Sequence, residues 1–193
     1  MSITALGKIV AAVLLGAGLT GCVDVAVDVA LTSETTAKAT TTMVMGAEFQ
    51  SMMTAGGDAF CGKGEAIQNQ DGSSTCVLAS EGPFADLVLG TNDPLPVTFT
   101  PDGPGLIRIA VTSAAITEKA DSRHVMDAET KQMLQAFVAG RKITIRFSGA
   151  EVRDTNMTLS ADKTSAQTVI PILDLMQGKA KLPEEFYAVV HVP

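Results

Sequence analysis

From Val23 to Leu31 the chain alternates without a break, with Val23, Val25, Val27, Val29 and Leu31 on one side and Asp24, Ala26, Asp28 and Ala30 on the other. A period of two is the strand period; on a helix these valines would be scattered around the axis. The chain is therefore committed early to a half-buried β-strand, and its fold must contain a sheet that buries one face of it. After a polar turn (Thr32, Ser33, Glu34, Thr35), the Thr-rich run to Met45 has high β propensity and poor helix propensity. It is expected to return antiparallel as a hairpin.

The rest of the chain is read the same way. Phe49, Met52 and Met53 have helical spacing within Ala47 to Ala55, and Gly56-Gly57 supplies the stop. Asp71-Gly72 is a tight-turn dipeptide between Ala66-Ile67 and Cys76-Val77-Leu78. Val97 to Thr100 and Leu106 to Thr112 read as strands around Pro101-Asp102-Gly103-Pro104-Gly105. Asp127 is placed as the N-cap of a helix with Met133, Leu134, Phe137 and Val138 on its apolar face and Gly140 at C′, while the stretch before it, with His124, reads as a charged connector. Strands are expected at Arg141 to Ser148 and around Met157 to Leu159, Thr168 to Leu173 and Phe186 to Val192. The elements do not alternate as βαβ units. The expected fold is α+β, a largely antiparallel sheet of about seven to nine strands with one or two helices on a face. A parallel doubly wound arrangement ranks second.

The N-terminus carries Lys8, an apolar run from Ile9 to Leu19, and then Leu19-Thr20-Gly21-Cys22. This resembles the lipobox of bacterial lipoproteins. The resemblance implies a signal peptide over residues 1–21, a diacylglyceryl thioether on Cys22, cleavage before it and acylation of the new amine. Residues 22–193 would then be one extracytoplasmic domain held on the bilayer through Cys22, since two or three acyl chains anchor a protein durably. A transmembrane helix fits poorly, because eleven apolar residues span about 17 Å against a hydrocarbon core of about 30 Å. An ordinary secretory signal, with Cys22 a bystander, is the other reading. If the host has two membranes, the outer one is favoured, because Val23 stands where an inner-membrane retention Asp is often found. No later stretch approaches 18 apolar residues.

Without Lys8, 13 basic residues face 21 acidic ones, a net charge of −8 on the 172 residues from Cys22, which argues against nucleic acid as a partner. A chain of that length buries roughly 70% of its unfolded surface and can hold a core without metal. With Cys22 assigned to lipid, Cys61 and Cys76 remain, with 14 residues between them. In an exported protein such a pair reads as a disulfide, worth about 3 kcal/mol in the loop-entropy picture. Zinc ligands or redox thiols are the competing reading, but there is no Cys-x-x-Cys and no nearby His.

An acylated Cys followed at once by alternating Val and Asp, a Thr-rich second strand, a short helix, and later Ile143-Thr144-Ile145-Arg146-Phe147-Ser148-Gly149-Ala150-Glu151-Val152 entering a strand-rich end resembles the LppM-type lipoprotein domain. The similarity is one of order and pattern across most of the chain after Cys22. It implies an envelope lipoprotein suspected of handling lipids, with no catalytic residues to carry over.

Apparent catalytic motifs fail on inspection. Gly16-Ala17-Gly18-Leu19-Thr20-Gly21 spells a dinucleotide fingerprint, but no strand precedes it and it lies in the signal. Gly57 to Gly64 nearly matches a P-loop, yet Gly64 stands where the magnesium-binding hydroxyl belongs. An EF-hand register on Gly72 puts Ile67 at the first ligand position. Asp121, His124 and Asp127, with Glu118 or Glu129, have conceivable metal spacing, but acidic residues ahead of a helix more often serve its dipole. His124 and His191 have no nucleophile pattern beside them. No catalytic residue, metal or cofactor is therefore expected.

Eight methionines follow the signal. They can fill a core short of aromatics or line a cavity for an apolar ligand. Met43, Met45, Phe49, Met52, Met53, Met133 and Phe137 are the candidate ligand-binding residues. The function expected is a non-enzymatic structural or assembly module whose partner is another envelope protein; the alternative is a module that binds lipid or another apolar ligand.

Overall fold

The alternating segment forms β1 (Asp24–Leu31), and β2 (Thr36–Met45) returns antiparallel beside it, with Val25 opposite Met43 and Leu31 opposite Ala37. The computed structural model describes residues 24–47, 61, 62, 64–87, 89, 95–121, 132, 135 and 137–192. Valine and threonine, stiff at χ1, suit the pleated surface on both strands. Inward residues Val27, Val29, Leu31, Ala37 and Ala39 are buried, so the alternation is realised as expected.

Beside β1 and β2 lie β3 (Glu65–Gln68), β4 (Ser74–Pro83), β7 (Lys142–Ser148), β9 (Thr158–Leu159) and β10 (Ser165–Pro171), in the order β3-β4-β2-β1-β7-β10-β9. Every neighbouring pair is antiparallel except β1 and β7, which run parallel. A second sheet has the order β5-β6-β11-β8, built from β5 (Thr98–Pro101), β6 (Leu106–Thr112), β8 (Glu151–Thr155) and β11 (Glu185–His191). The α+β, largely antiparallel expectation holds, with the strands divided between a seven-stranded and a four-stranded sheet.

One apolar core joins the sheets: Val29, Ala39 and Phe147 of the larger meet Ile109, Ala188 and Val190 of the smaller. Gly149 permits this closure, since a Cβ there would come within 2.5 Å of the Val190 side chain and 2.9 Å of the His191 carbonyl. The Ala150 N–H donates to that carbonyl at 2.9 Å, fastening β8 to the end of β11. Phe84 and Phe99 stack at 4.2 Å, linking the 3-10 turn after β4 to β5.

Helix α1 (Ser113–Asp121) follows β6, where a charged connector was expected. It is capped by Thr112, whose hydroxyl accepts the Ala115 N–H at 3.3 Å, and it buries Ala115 and Ile116. Helix α2 (Ile172–Met176) takes the place of the end of the expected Thr168 to Leu173 strand. Pro171 donates no ladder hydrogen bond and suits the first helical turn, so β10 stops there. The later helix ends as read: Phe137 and Val138 are helical and Gly140 adopts φ 77°. Its N-cap Asp127 and apolar residues Met133 and Leu134, like the Phe49-Met52-Met53 segment, lie outside the described residues.

The sandwich has two poles. One holds the start of β1, the start of β7, the end of β10 and α2, joined by the hydrogen bond from the Ile172 N–H to the Arg141 carbonyl at 2.9 Å, and α1 packs on α2 there. We call it the N-terminal pole. At the other, the Gly105 N–H donates to Glu34 Oε1 at 3.1 Å and ties the β1–β2 turn to the β5–β6 turn.

Candidate functional site

The strand registers place Cys76, Met43, Val25, Ile143 and Ile170 in one row across the inner face of the larger sheet, nearest the N-terminal pole. In the rows beyond it the central residues, Thr41, Val27 and Ile145 and then Ala39, Val29 and Phe147, are buried. Val25, Met43 and Ile143 are only half-buried, so the apolar inner face is less covered towards this pole. Thr41, between Leu78 and Val27 in the second row, is buried with its hydroxyl unpartnered.

Of the candidate ligand-binding residues, Met43 lies in that half-buried row, while Met45 is buried at the end of β2 opposite Ser74. Phe137 is half-buried in the helical turn before Gly140. Phe49, Met52, Met53, Met133 and the lipid-attachment candidate Cys22 lie outside the described residues.

Cys61 and Cys76 are bonded, with Cα atoms 5.3 Å apart. The bridge sits on the inner side of the β3–β4 hairpin and fixes the start of that hairpin to the edge of the sheet. Gly64 gives it room: a Cβ there would lie 2.8 Å from Cys61 Sγ and 3.0 Å from Cys76 Sγ. This close packing also accounts for the glycine that breaks the P-loop pattern. The hairpin turn is longer than a two-residue turn. It runs through Asn69, whose carbonyl accepts the Gly72 N–H at 3.1 Å, with Gly72 at φ 82° and the Asp71 carboxylate accepting from the Ser73 hydroxyl and N–H. Those two bonds hold the Asp71 carboxyl below the usual carboxylate range.

On its outer face the larger sheet carries an uncharged row between charged residues such as Lys38, Glu81, Asp28 and Arg146. Val77, Thr42, Ala26, Thr144 and Val169 form one row across five strands. Val169 is 49% exposed, and Ile67 on β3 is 44% exposed on the same face. Asp28 and Arg146 stand 3.9 Å apart there, and burial pushes the Asp28 carboxyl up more than Arg146 pulls it down.

Sequence reasoning missed a polar network on the outer face of the smaller sheet. Arg108 stacks 3.7 Å above the Tyr187 ring and ion-pairs with Glu185. The Tyr187 hydroxyl donates to Asp154 Oδ2 at 2.9 Å, which raises the pKa of the phenol. These residues come from β6, β8 and β11, so the only sequence signal was their position on outward-facing alternations. Among the described residues, no group of three or more His, Cys, Asp or Glu is placed to hold a metal ion. Of the residues weighed for one, Glu118 is exposed on α1, and His124, Asp127 and Glu129 lie outside the described residues. His191 packs its ring against Gly105. No helix among the described residues is long and apolar enough to cross a membrane.

Compared with protein families and with curated proteins, the sequence matches none. Among solved structures, the chain is similar to the folded domain of the Mycobacterium tuberculosis LppM protein, determined by NMR. The TM-score is 0.50 at 12% identity, over 90% of this chain and 92% of that one. At that identity the likeness is one of fold, and it agrees with the similarity read from the order of elements.

Proposed function

We propose that the protein is an envelope lipoprotein, anchored through acylated Cys22 on the extracytoplasmic side of a bacterial membrane, and that it works as a non-enzymatic assembly module docking another envelope protein. The observation that carries the docking reading is the uncharged row Val77, Thr42, Ala26, Thr144 and Val169 on the outer face of the seven-stranded sheet, with Val169 and Ile67 exposed. That row carries no charge and costs little to desolvate, as the core of an interface requires, while Lys38, Glu81, Asp28 and Arg146 on the same face would stand at its rim. Among the described residues, the groups with displaced pKa values, Asp28, Asp71, Asp162 and Tyr187, are spread over separate strands and turns, which supports binding over catalysis. A photo-crosslinking residue at Thr42 or Val169 in cells should capture a defined envelope protein, and the same residue at Ala161, in an exposed turn outside this face, should not. Equal labelling from all three positions would contradict the reading.

A second reading, binding of lipid or another apolar ligand, is favoured by the half-buried Val25, Met43 and Ile143 row and the unpartnered Thr41 hydroxyl. Native mass spectrometry of the purified protein tests it: co-purifying phospholipid that Met43→Asp removes without unfolding would establish that site. Protein free of lipid would leave the docking reading alone.

A further inference from the structure

We infer that the N-terminal pole of the sandwich rests on the bilayer surface, with α2 against the headgroups and Lys142, Lys179 and Lys181 on anionic phosphates. The inference depends on the acylation of Cys22 proposed above and adds the orientation of the domain and the contacts it makes.

The length of the tether supplies the first argument. Only Val23 separates Cys22 from Asp24, the first residue of β1. Two residue steps reach at most about 7 Å. The start of β1 must then lie against the headgroup layer, together with whatever shares its pole. Lys142 opens the parallel neighbour β7, with Val25 opposite Ile143, and Pro171, which leads into α2, is the register partner of Lys142. The Gly105 turn, at the other pole, is directed away from the membrane.

Chemistry supplies the second argument. Helix α2 buries Leu175 but leaves Ile172, Leu173 and Met176 half-buried, apolar surface at the end of the molecule closest to the lipid. Lys142, Lys179 and Lys181 are exposed, and the Lys179 N–H donates to the Asp174 carbonyl at 2.8 Å, which folds the basic segment back over the end of α2. Asp24, the acidic residue nearest the tether, is ion-paired with Arg141 at 3.1 Å. Lys142 stands beside the tether and Lys179 and Lys181 follow α2, with half-buried Asp174 and exposed Glu184 as the carboxylates of that segment; on a chain carrying a net charge of −8 after its signal, these three exposed lysines are placed where anionic lipid attracts cations.

The chain contains no Trp, so a single introduced Trp reports its own depth. The full acylated protein carrying Gln177→Trp, an exposed position at the end of α2, is reconstituted in vesicles of phosphatidylcholine and phosphatidylglycerol with brominated acyl chains. Its emission should shift to the blue and be quenched. Pro104→Trp, in the far turn, should show neither effect. Adding Lys142→Glu, Lys179→Glu and Lys181→Glu to Gln177→Trp should relieve quenching in these vesicles and have little effect in phosphatidylcholine alone. Equal emission from Gln177→Trp and Pro104→Trp in protein that still floats with the vesicles would overturn the orientation. Protein that does not float would overturn the anchor and the orientation with it, and flotation distinguishes the two failures.

Discussion

Asp24 and Arg141 meet at 3.1 Å across 117 residues of sequence, and the Asp24 carboxylate also accepts the Lys142 N–H at 3.0 Å. These bonds fasten the first residue of β1 to the start of its parallel neighbour β7. The Arg141 side chain is 13% exposed, so its loss removes packing as well as charge. Arg141→Ala should cost about 1–2 kcal/mol in urea unfolding, and Asp24→Asn, which keeps an acceptor, should cost less.

The disulfide should be worth roughly 2–4 kcal/mol, measured as the difference in unfolding free energy between the protein and a Cys61→Ala/Cys76→Ala variant. Gly64→Ala should destabilise by about 1–3 kcal/mol, because the new Cβ must displace the bridge or the Val77 carbonyl, 2.8 Å away. If the bridge sulfurs are the obstruction, Gly64→Ala should cost less once both cysteines are alanine.

Lys163 holds φ 58° in the turn between β9 and β10, where the Val152 N–H donates to its carbonyl at 2.7 Å. A left-handed conformation strains a side-chain-bearing residue, and glycine adopts it freely. Lys163→Gly should raise stability by about 0.5–1 kcal/mol, since relief of strain exceeds the extra entropy of the unfolded glycine. Lys163→Ala should not stabilise.

Acid stability should show two opposed contributions. Asp71 and Asp162 have folded pKa values below the unfolded 3.8, because serine hydroxyls and turn N–H groups donate to them. Their contribution is present above the unfolded value and is lost as pH falls through the folded one. Asp28 is raised by burial, so its ionised form opposes folding at neutral pH, and that opposition fades as pH falls through its folded pKa. Urea midpoints followed against pH by circular dichroism should show a shallower acid decline in Asp71→Asn and Asp162→Asn. Asp28→Asn should be as stable as the unaltered protein at pH 7 or more so.

Local pattern predicted local structure well. The alternation, over its described part Asp24 to Leu31, the Leu106 to Thr112 strand, the left-handed Gly140 and the cysteine pairing all depend on neighbours close in sequence, and they appear in place. What was not legible depends on distance. The β1–β7 parallel pair, the split into two sheets at Gly149 and the Arg108-Tyr187-Asp154 network join residues far apart in sequence, which no periodicity encodes. The α1 helix was missed for a local reason: Thr112-Ser113 reads equally as the end of a strand and as a cap. Of the candidate ligand-binding residues, the half-buried Met43 and Phe137 and the buried Met45 are seen among the described residues.

Everything proposed for function depends on Cys22. The most direct measurement is the intact mass of the protein extracted from membranes of a lipoprotein-processing bacterium, with Cys22→Ser alongside. The account predicts a chain that begins at Cys22, residues 1–21 removed, and carries a diacylglyceryl group with or without an N-acyl chain, while Cys22→Ser remains an unprocessed precursor or leaves the membrane fraction. A chain with unmodified Cys22, or one cleaved elsewhere in the first residues, would contradict it.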